Sequence, residues 1–585
     1  MEPSPRLVLF ALAALLAGCA ALPPAAPPAA PVEAPPDAPP DAGGAAPRYR
    51  NFPADTLHEL LLAEFAGMRG QVEPALEIYA IQAHETRDPG VIRRAIQIAR
   101  HLRRHDVVLD LAELWVAVDP EEPDARRLLA FHLAAAGRVV EAFPHAEFLR
   151  AHGDPAYLRS LAIFAADAPR REQERLLALY RALLERHPED PGALLGAAEL
   201  LRLLDRPREA LGLAARAVAR APDDEGGQLL HAQLLYELGR KGRALRALRR
   251  ALEVIPDSKP LRLQYARYLA DRDLAASREQ MRILAEQDPE DPDVLFSLAL
   301  VERELGDADA ARRILEQLAA GGPRAADAHF LLGRMEEDAG RPGEAIYHYR
   351  QVTSGANLLA AALRAASLYA EHRNLAAARA YLGELRAIYP ALRESLYQIE
   401  AEILSRHGRP DEARALLGRA LEEFPDSPEL RYARAIAAAL AEDLPAAEAD
   451  LRWILERRPD DANALNALGY TLLELAPQRR EEAVALIERA YALDPDNPAI
   501  VDSLGWARFL QGRAAEAAEL LRRAYEALPE AEVAAHLGEV LWVLEQRQEA
   551  LAVWRRALAE DPGDRTLRRT LERLAPGLLE EAPSQ

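Results

Sequence analysis

The sequence predicts an all-α protein in the form of a right-handed α-solenoid, and three observations lead to this prediction. A proline or its stand-in returns about every 34 residues from Pro188 to Pro562. In five of these intervals a glycine in the predicted turn between helices precedes an alanine by five residues, as Gly512 precedes Ala517. No stretch alternates between apolar and polar residues for long enough to form a β-strand. Helical pairs that repeat at this period cannot bury their apolar sides alone, so neighbouring pairs must stack.

The repeat is clearest in residues 497–529. Small residues are needed where the two helices of a pair cross closely, and a proline ends the second helix. Capping residues before a proline, as in "DNP" and "DSP", mark where first helices begin. Counted from Pro498 as position 1, the matches to the tetratricopeptide repeat (TPR) pattern are Leu504 at 7, Gly505 at 8, Ala517 at 20, Ala524 at 27 and Pro529 at 32.

The N-terminus predicts a lipoprotein signal peptide. Residues 7–17 form an uncharged apolar run that is too short to span a bilayer, which takes roughly 20 residues. The run ends in Leu16-Ala17-Gly18-Cys19, which resembles the bacterial lipobox. That resemblance implies cleavage between Gly18 and Cys19, acylation of Cys19 by fatty acids such as palmitate and, because Ala20 follows, an outer-membrane location. The alternative is a chance cysteine in an ordinary signal peptide, although Cys19 is the only cysteine of the chain.

The rest of the chain divides by composition and by the regularity of the repeat. Proline and alanine dominate after the cysteine and predict an extended, disordered tether, or else a leader with no spacing role. About fourteen helical pairs follow, and a last helix caps them. The predicted divisions are 1–18, signal peptide; 19–50, tether; 51–190, irregular N-terminal repeats; 191–562, regular TPR array; and 563–585, capping helix and tail.

The sequence predicts neither an enzyme nor a cofactor or metal site. His58-Glu59 and His84-Glu85 begin like the zinc-binding H-E-x-x-H motif, but Leu62 and Asp88 occupy the second histidine positions. The chain has no G-x-S-x-G motif, no glycine-rich phosphate loop and no histidines at metal-ligand spacing. With 93 Asp and Glu against 72 Lys and Arg, its net charge of −21 argues against nucleic acid as a partner.

The concave surface of the last three repeats is the predicted protein-binding groove. In a TPR first helix, positions 4, 7, 8 and 11 face the partner helix, whereas positions 2, 5, 9 and 12 line the groove. Aromatic and amide side chains at these positions are typical of a recognition surface. For the two tryptophans, packing between repeats as core is the alternative. The predicted groove residues are Asn463, Asn466, Tyr470, Asp502, Trp506, Phe509 and Trp542.

Three C-terminal runs, "NALNALGYTLLE", "PAIVDSLGWARFLQGR" and "AEVAAHLGEVLWVLEQRQEAL", resemble the LbcA-like family of proteobacterial outer-membrane TPR lipoproteins. The resemblance implies a lipid-anchored adaptor on the periplasmic face of the outer membrane. Such an adaptor binds a carboxyl-terminal processing serine protease and its protein substrates, and promotes degradation of cell-wall hydrolases. Catalytic residues then belong to the partner, and only Cys19 carries over directly. The alternative is a TPR scaffold for assembly or secretion of polysaccharide, pili or outer-membrane proteins.

Overall fold

A computed structural model describes residues 52–154 and 156–581 of the 585-residue chain. The lipidation site at Cys19, the cleavage site before it and the tether lie outside the described residues. Within them the protein is all-α, with 32 α-helices in succession and no β-strand. None of these helices combines the length and the apolarity that a membrane-spanning segment requires.

The chain divides into two compact units, Met1–Ile314 and Leu315–Gln585. The helices of the first unit are α1 (Ala54–Met68), α2 (Val72–Thr86), α3 (Pro89–His101), α4 (His105–Val118), α5 (Pro123–Ala135), α6 (Val139–Ala151), α7 (Ala156–Phe164), α8 (Arg170–Arg186), α9 (Pro191–Leu203), α10 (Pro207–Arg220), α11 (Glu225–Glu237), α12 (Lys241–Val254), α13 (Lys259–Ala270), α14 (Leu274–Gln287) and α15 (Pro292–Glu304). The division falls within α16 (Ala308–Ala319).

The second unit continues the same alternation. Its helices are α17 (Ala325–Asp338), α18 (Pro342–Arg350), α19 (Leu358–His372), α20 (Leu375–Ile388), α21 (Arg393–Arg406), α22 (Pro410–Glu423), α23 (Pro428–Leu440), α24 (Leu444–Arg457), α25 (Ala462–Leu475), α26 (Arg480–Leu493), α27 (Pro498–Leu510), α28 (Ala514–Ala527), α29 (Ala531–Val543), α30 (Arg547–Glu560), α31 (Arg565–Leu574) and α32 (Gly577–Glu581). A short 3₁₀ turn, Pro477–Arg479, lengthens the connection before α26.

Taken two by two, helices α1 to α30 form fifteen pairs, one more than the repeat spacing predicts. Within each unit most helices pack against the next, and in most pairs the first helix also packs against the first helix of the following pair. Neighbouring first helices therefore share a layer along much of each unit. The predicted fold class, an all-α TPR solenoid, is confirmed.

Capping side chains fix where the first helices begin. The side chain of Asn497 accepts a hydrogen bond from the amide of Ala499 at 3.1 Å, just before α27. Ser427 Oγ accepts from the amide of Leu430 at 3.0 Å before α23. Because each cap precedes a proline whose fixed backbone angle suits the first helical turn, the sequence sets these boundaries locally.

Glycine at position 8 lets the two helices of a pair approach closely. A methyl group on Gly505 would lie 2.7 Å from Leu521 Cγ, and one on Gly538 would overlap the indole of Trp554. Trp554 is fully buried against this glycine. In the turn between paired helices, Gly512 has φ +81°, a left-handed conformation that glycine adopts without strain. The close crossing of paired helices and the left-handed turn between them therefore explain the glycines at these positions of the repeat.

Candidate protein-binding surfaces

The predicted groove is lined by α25, α27 and α29, the first helices of the last three pairs. These helices pack in succession, which brings side chains of three different repeats together. Position 9 is occupied by Tyr470 in α25 and by Trp506 in α27, and both side chains are half-buried. Asp502 at position 5 is buried. These three predicted residues therefore lie on two adjacent first helices.

At the centre of this surface lies His536 of α29, which is buried together with Asp502. Its Nδ1 lies 3.0 Å from Asp502 Oδ2, and its Nε2 lies 3.3 Å from the Tyr470 hydroxyl. The Tyr470 hydroxyl in turn donates a hydrogen bond to Glu532 Oε1 at 2.7 Å. When the imidazole is protonated, its Nδ1 donates to Asp502 and its Nε2 donates to the Tyr470 hydroxyl, which donates to Glu532. Each of these four side chains therefore has a hydrogen-bond partner.

Trp506 closes the cluster on one side. Its indole stacks on the His536 ring, with 4.4 Å between ring centroids and 18° between planes. Its Nε1 donates a hydrogen bond to Glu474 Oε1 at 3.0 Å. Phe509, half-buried, lies 5.2 Å from Trp506 between ring centroids. The groove cluster is hereafter Tyr470, Asp502, Trp506, Glu532 and His536.

The electrostatics of the cluster favour a positively charged imidazole among carboxylates. Burial alone would lower the pKa of His536, but Asp502, by charge and by hydrogen bonding, raises it to about 9. Burial raises the pKa of Tyr470 well above its usual value, and the Glu532 carboxylate raises it further. The Glu532 side chain is exposed to solvent, yet its surroundings in the concave surface desolvate the carboxyl group and raise its pKa.

The remaining predicted residues differ in how far they are already engaged. Asn463 is exposed, and its Oδ1 accepts a hydrogen bond from Asn497 at 3.4 Å. The Oδ1 of Asn466 is buried, and no hydrogen-bond partner for it exists among the described residues. Trp542 is half-buried, 5.6 Å from Trp554 between ring centroids, and lies under the guanidinium of Arg547. Of this set, Asn466 is the residue with a buried acceptor that no described residue fills.

The repeat pattern did not predict His536 as a groove residue, because it occupies position 6 of its repeat. Position 6 follows position 2 by four residues and precedes position 9 by three, so it lies on the same helix face. The i, i+4 spacing between Glu532 and His536 was the available signal. The hydrogen bond between Tyr470 and Glu532 could not be predicted from spacing, because these residues are 62 positions apart.

This arrangement supports recognition more than catalysis. Both ring nitrogens of His536 face protein groups, and Trp506 covers one ring face, so the imidazole is closed to a substrate. Among residues 52–154 and 156–581, no group of three or more His, Cys, Asp or Glu side chains could hold a metal ion. The groove presents carboxylates and amides, which suit a partner segment rich in N–H donors or positive charge.

A second surface, on α1 in the first unit, did not enter the predicted site. Only Ala63 of this helix is buried. Leu57, Leu61, Phe65 and Met68, spaced by four, four and three residues, share one side of α1, and each has at least half of its area exposed, up to 82% for Met68. These four residues are hereafter the α1 face. Clustered exposed apolar side chains mark interaction sites.

A layered array of helical pairs with such surfaces defines a class of protein, the repeat scaffold that binds other proteins. Comparison with known sequences gives the family. TPR family models match residues 177–225, 266–314, 296–357, 441–498 and 475–532, and a further TPR model matches 394–437. The chain is 38% identical over 494 residues to the TPR repeat-containing protein PA4667 of Pseudomonas aeruginosa, covering 84% of this chain and 83% of that protein. The chain belongs to this family of TPR-repeat proteins.

Solved structures with a similar repeat include TTC0263, a thermophilic TPR protein of Thermus thermophilus. It is 26% identical, with 32% of this chain and 99% of that chain covered and a TM-score of 0.28. The structure of Naa15/Naa10 bound to HypK-THB is 13% identical, with 90% and 99% covered and a TM-score of 0.34. At these TM-scores the two similarities carry no inference about partners.

Proposed function

We propose that this protein is a lipid-anchored periplasmic adaptor of the outer membrane. It binds a carboxyl-terminal processing serine protease and brings cell-wall hydrolases to it for degradation. Membership in the TPR family supports the scaffold role, and the C-terminal sequence runs quoted above support the choice of protease. An adaptor needs separate surfaces for enzyme and substrate, and the two units offer surfaces of different chemistry.

The observation that carries the proposal is the α1 face. Leu57, Leu61, Phe65 and Met68 expose apolar area that a helix at the end of a repeat array would otherwise keep polar for solubility. A rigid partner such as a folded protease can cover this face and remove it from water, which favours association. We therefore assign the protease to the α1 face.

The groove cluster is better suited to an extended substrate segment. Glu474, Asp502 and Glu532 surround a single protonated imidazole, so the surface favours peptide N–H groups and basic side chains. A polar groove of this kind binds many sequences weakly, as an adaptor for several hydrolases requires.

The test is the affinity of the full-length chain for the purified protease of the same organism. The double variant Leu61→Glu with Phe65→Glu puts charge into the centre of the α1 face. An interface hot spot contributes at least about 2 kcal/mol, so affinity should fall about thirtyfold or more. The matched control is Ile388→Glu with Leu493→Glu, two exposed apolar residues at separate helix ends.

The assignment of the protease to the α1 face is wrong if both double variants bind the protease as tightly as the unmodified chain. If the unmodified chain does not bind the protease but binds an outer-membrane assembly component, the adaptor proposal as a whole is replaced by the assembly scaffold. Because these side chains are exposed, the substitutions should leave helix content unchanged, and circular dichroism checks this.

The membrane anchor has its own test at Cys19. Cells labelled with a tagged palmitate should yield acylated wild-type chain in the outer-membrane fraction, and the Cys19→Ala variant should be unlabelled and absent from that fraction. Two or more acyl chains are needed for stable anchoring, so loss of the cysteine should release the protein entirely. An unlabelled wild-type chain contradicts the lipoprotein assignment.

A further inference from the structure

Helix α12 in the first unit carries an unusual concentration of positive charge. Six basic residues and no acidic ones lie between positions 240 and 250, in a chain whose net charge is −21. Arg240, Arg243, Arg246 and Arg250 are exposed and spaced by three, three and four residues, which places them along one side of the helix. These four residues are hereafter the arginine stripe.

The arginine stripe has no carboxylate partner among the described residues. Lys241 of the same helix, by contrast, pairs with Asp271 at 2.9 Å, and Asp271 also accepts a hydrogen bond from Tyr236. Three arginines on second helices of the other unit differ, because each has a carboxylate partner within the fold. The pairs are Arg489 with Asp460 at 2.7 Å, Arg522 with Glu549 at 3.0 Å and Arg556 with Glu560 at 3.3 Å. Four adjacent guanidinium groups without counter-charge repel one another.

The stripe borders an open cavity of about 400 Å³ between α10 and α12. Its apolar lining comes from Leu211, Ala215, Leu235 and Ala247. His231 also lines it, and the buried Nδ1 of this residue has no hydrogen-bond partner within the described chain. Burial lowers the pKa of His231, which keeps the ring neutral. The cavity therefore joins an apolar floor to a cationic rim.

We propose that the arginine stripe and its apolar floor bind an acidic amphipathic helix of a partner protein. Carboxylates on such a helix pair with the guanidinium groups of the rim, while its apolar side enters the cavity. At 14 residues, α12 is roughly 21 Å long, which matches a segment of a few helical turns. The strongly negative remainder of the chain repels an extended anionic surface such as a lipid bilayer or nucleic acid.

The arginine stripe differs from the groove cluster in the sign of the charge it selects, and this proposal does not depend on the protease assignment. Binding is measured by fluorescence anisotropy with a labelled helical peptide that has glutamates on its polar side and leucines on its apolar side. The test variant is Arg243→Gln, Arg246→Gln and Arg250→Gln combined. Glutamine forms helices well, so α12 should stay folded, which circular dichroism checks.

The matched control is Arg489→Gln, Arg522→Gln and Arg556→Gln, which changes the net charge equally but removes arginines that are already paired. The stripe variant should bind the peptide about tenfold more weakly, because each exposed ion pair contributes up to about 1 kcal/mol, and the control should bind as the wild type does. Raising the salt concentration should reduce the difference.

Three results would overturn the proposal. The first is equal peptide affinity of the stripe variant and the control. The second is equal binding of a peptide in which lysine replaces glutamate. The third is tighter, stripe-dependent binding of the chain to phosphatidylglycerol vesicles than to the peptide, which would assign the surface to a membrane.

Discussion

The first and the last long helix of the repeat array differ in what they leave exposed. Helix α31 buries Leu567 and Leu571 and turns Arg568 and Arg569 to solvent. Its Arg573 forms an ion pair with the buried Glu539 of α29. Helix α1 buries only an alanine and exposes the four large apolar residues of the α1 face.

This contrast separates two uses of a terminal helix. A capping helix closes the hydrophobic core of an array and offers a polar outside, which keeps the protein soluble. Helix α31 fits that description. The α1 face does not, because no residue within 52–154 or 156–581 buries its four large apolar side chains. We infer that the array is capped at one end and binds a partner at the other.

The largest expected effect compares aromatic side chains near the two ends. Trp554 is fully buried against Gly538, so Trp554→Ala should lower the free energy of unfolding of the C-terminal repeats by about 3–5 kcal/mol. Phe65→Ala, on the exposed α1 face, should change stability little. The free energy of unfolding of both variants is measured by urea denaturation, with hydrogen exchange as the probe. A comparable loss at both ends would show that α1 packs as core.

A pH titration sharpens the contrast by testing the groove cluster. The folded-state pKa of His536 is about 9, above its ordinary value of 6.5, so its contribution is complete below pH 6.5 and is lost as the pH rises through 9. The difference amounts to about 3 kcal/mol of unfolding free energy.

Asp502→Asn is the control for this titration because it removes the carboxylate that raises the pKa. Stability of the C-terminal repeats should then depend much less on pH between 6.5 and 9. A wild-type stability that stays flat across this range would show that His536 is neutral in the folded protein.

A smaller effect is expected from overpacking one helix crossing. Gly505→Leu forces a side chain towards Leu521 and should cost about 1–3 kcal/mol. In an array that couples only neighbouring repeats, the loosening should remain near residues 463–562. Hydrogen exchange that reports equal loosening back to residue 200 would contradict this local coupling.

The smallest effect is expected from a long-range ion pair at the capped end. Arg565 of α31 lies 2.8 Å from Glu442, 123 residues earlier, but both side chains are mostly exposed. Arg565→Ala should therefore lower stability by less than about 1 kcal/mol. A larger loss in thermal melting would mean that this contact, and not apolar burial, holds the cap.

The sequence was sufficient for the repeat, because caps, turns and close crossings depend on residues near one another in the chain. Asn497 and Gly505 act within their own pair, so their roles follow from spacing. The groove cluster required more, since Tyr470 meets Glu532 only after three repeats have stacked. The spacing of Leu57, Leu61, Phe65 and Met68 predicts one apolar side of a helix, but this spacing is the same whether that side is buried or exposed. Only the packing of α1 in the structure shows that the α1 face is exposed.

The most direct test of the α1 face is hydroxyl-radical footprinting of the full-length chain with and without saturating protease. Met68 is 82% exposed and Phe65 is 57% exposed, and both oxidise readily, while Tyr347, 59% exposed in the second unit, serves as the internal control. If the protease binds the α1 face, it should slow the oxidation of Met68 and Phe65 and leave that of Tyr347 unchanged. Unchanged oxidation of Met68 and Phe65 in the saturated complex would show that the protease binds elsewhere.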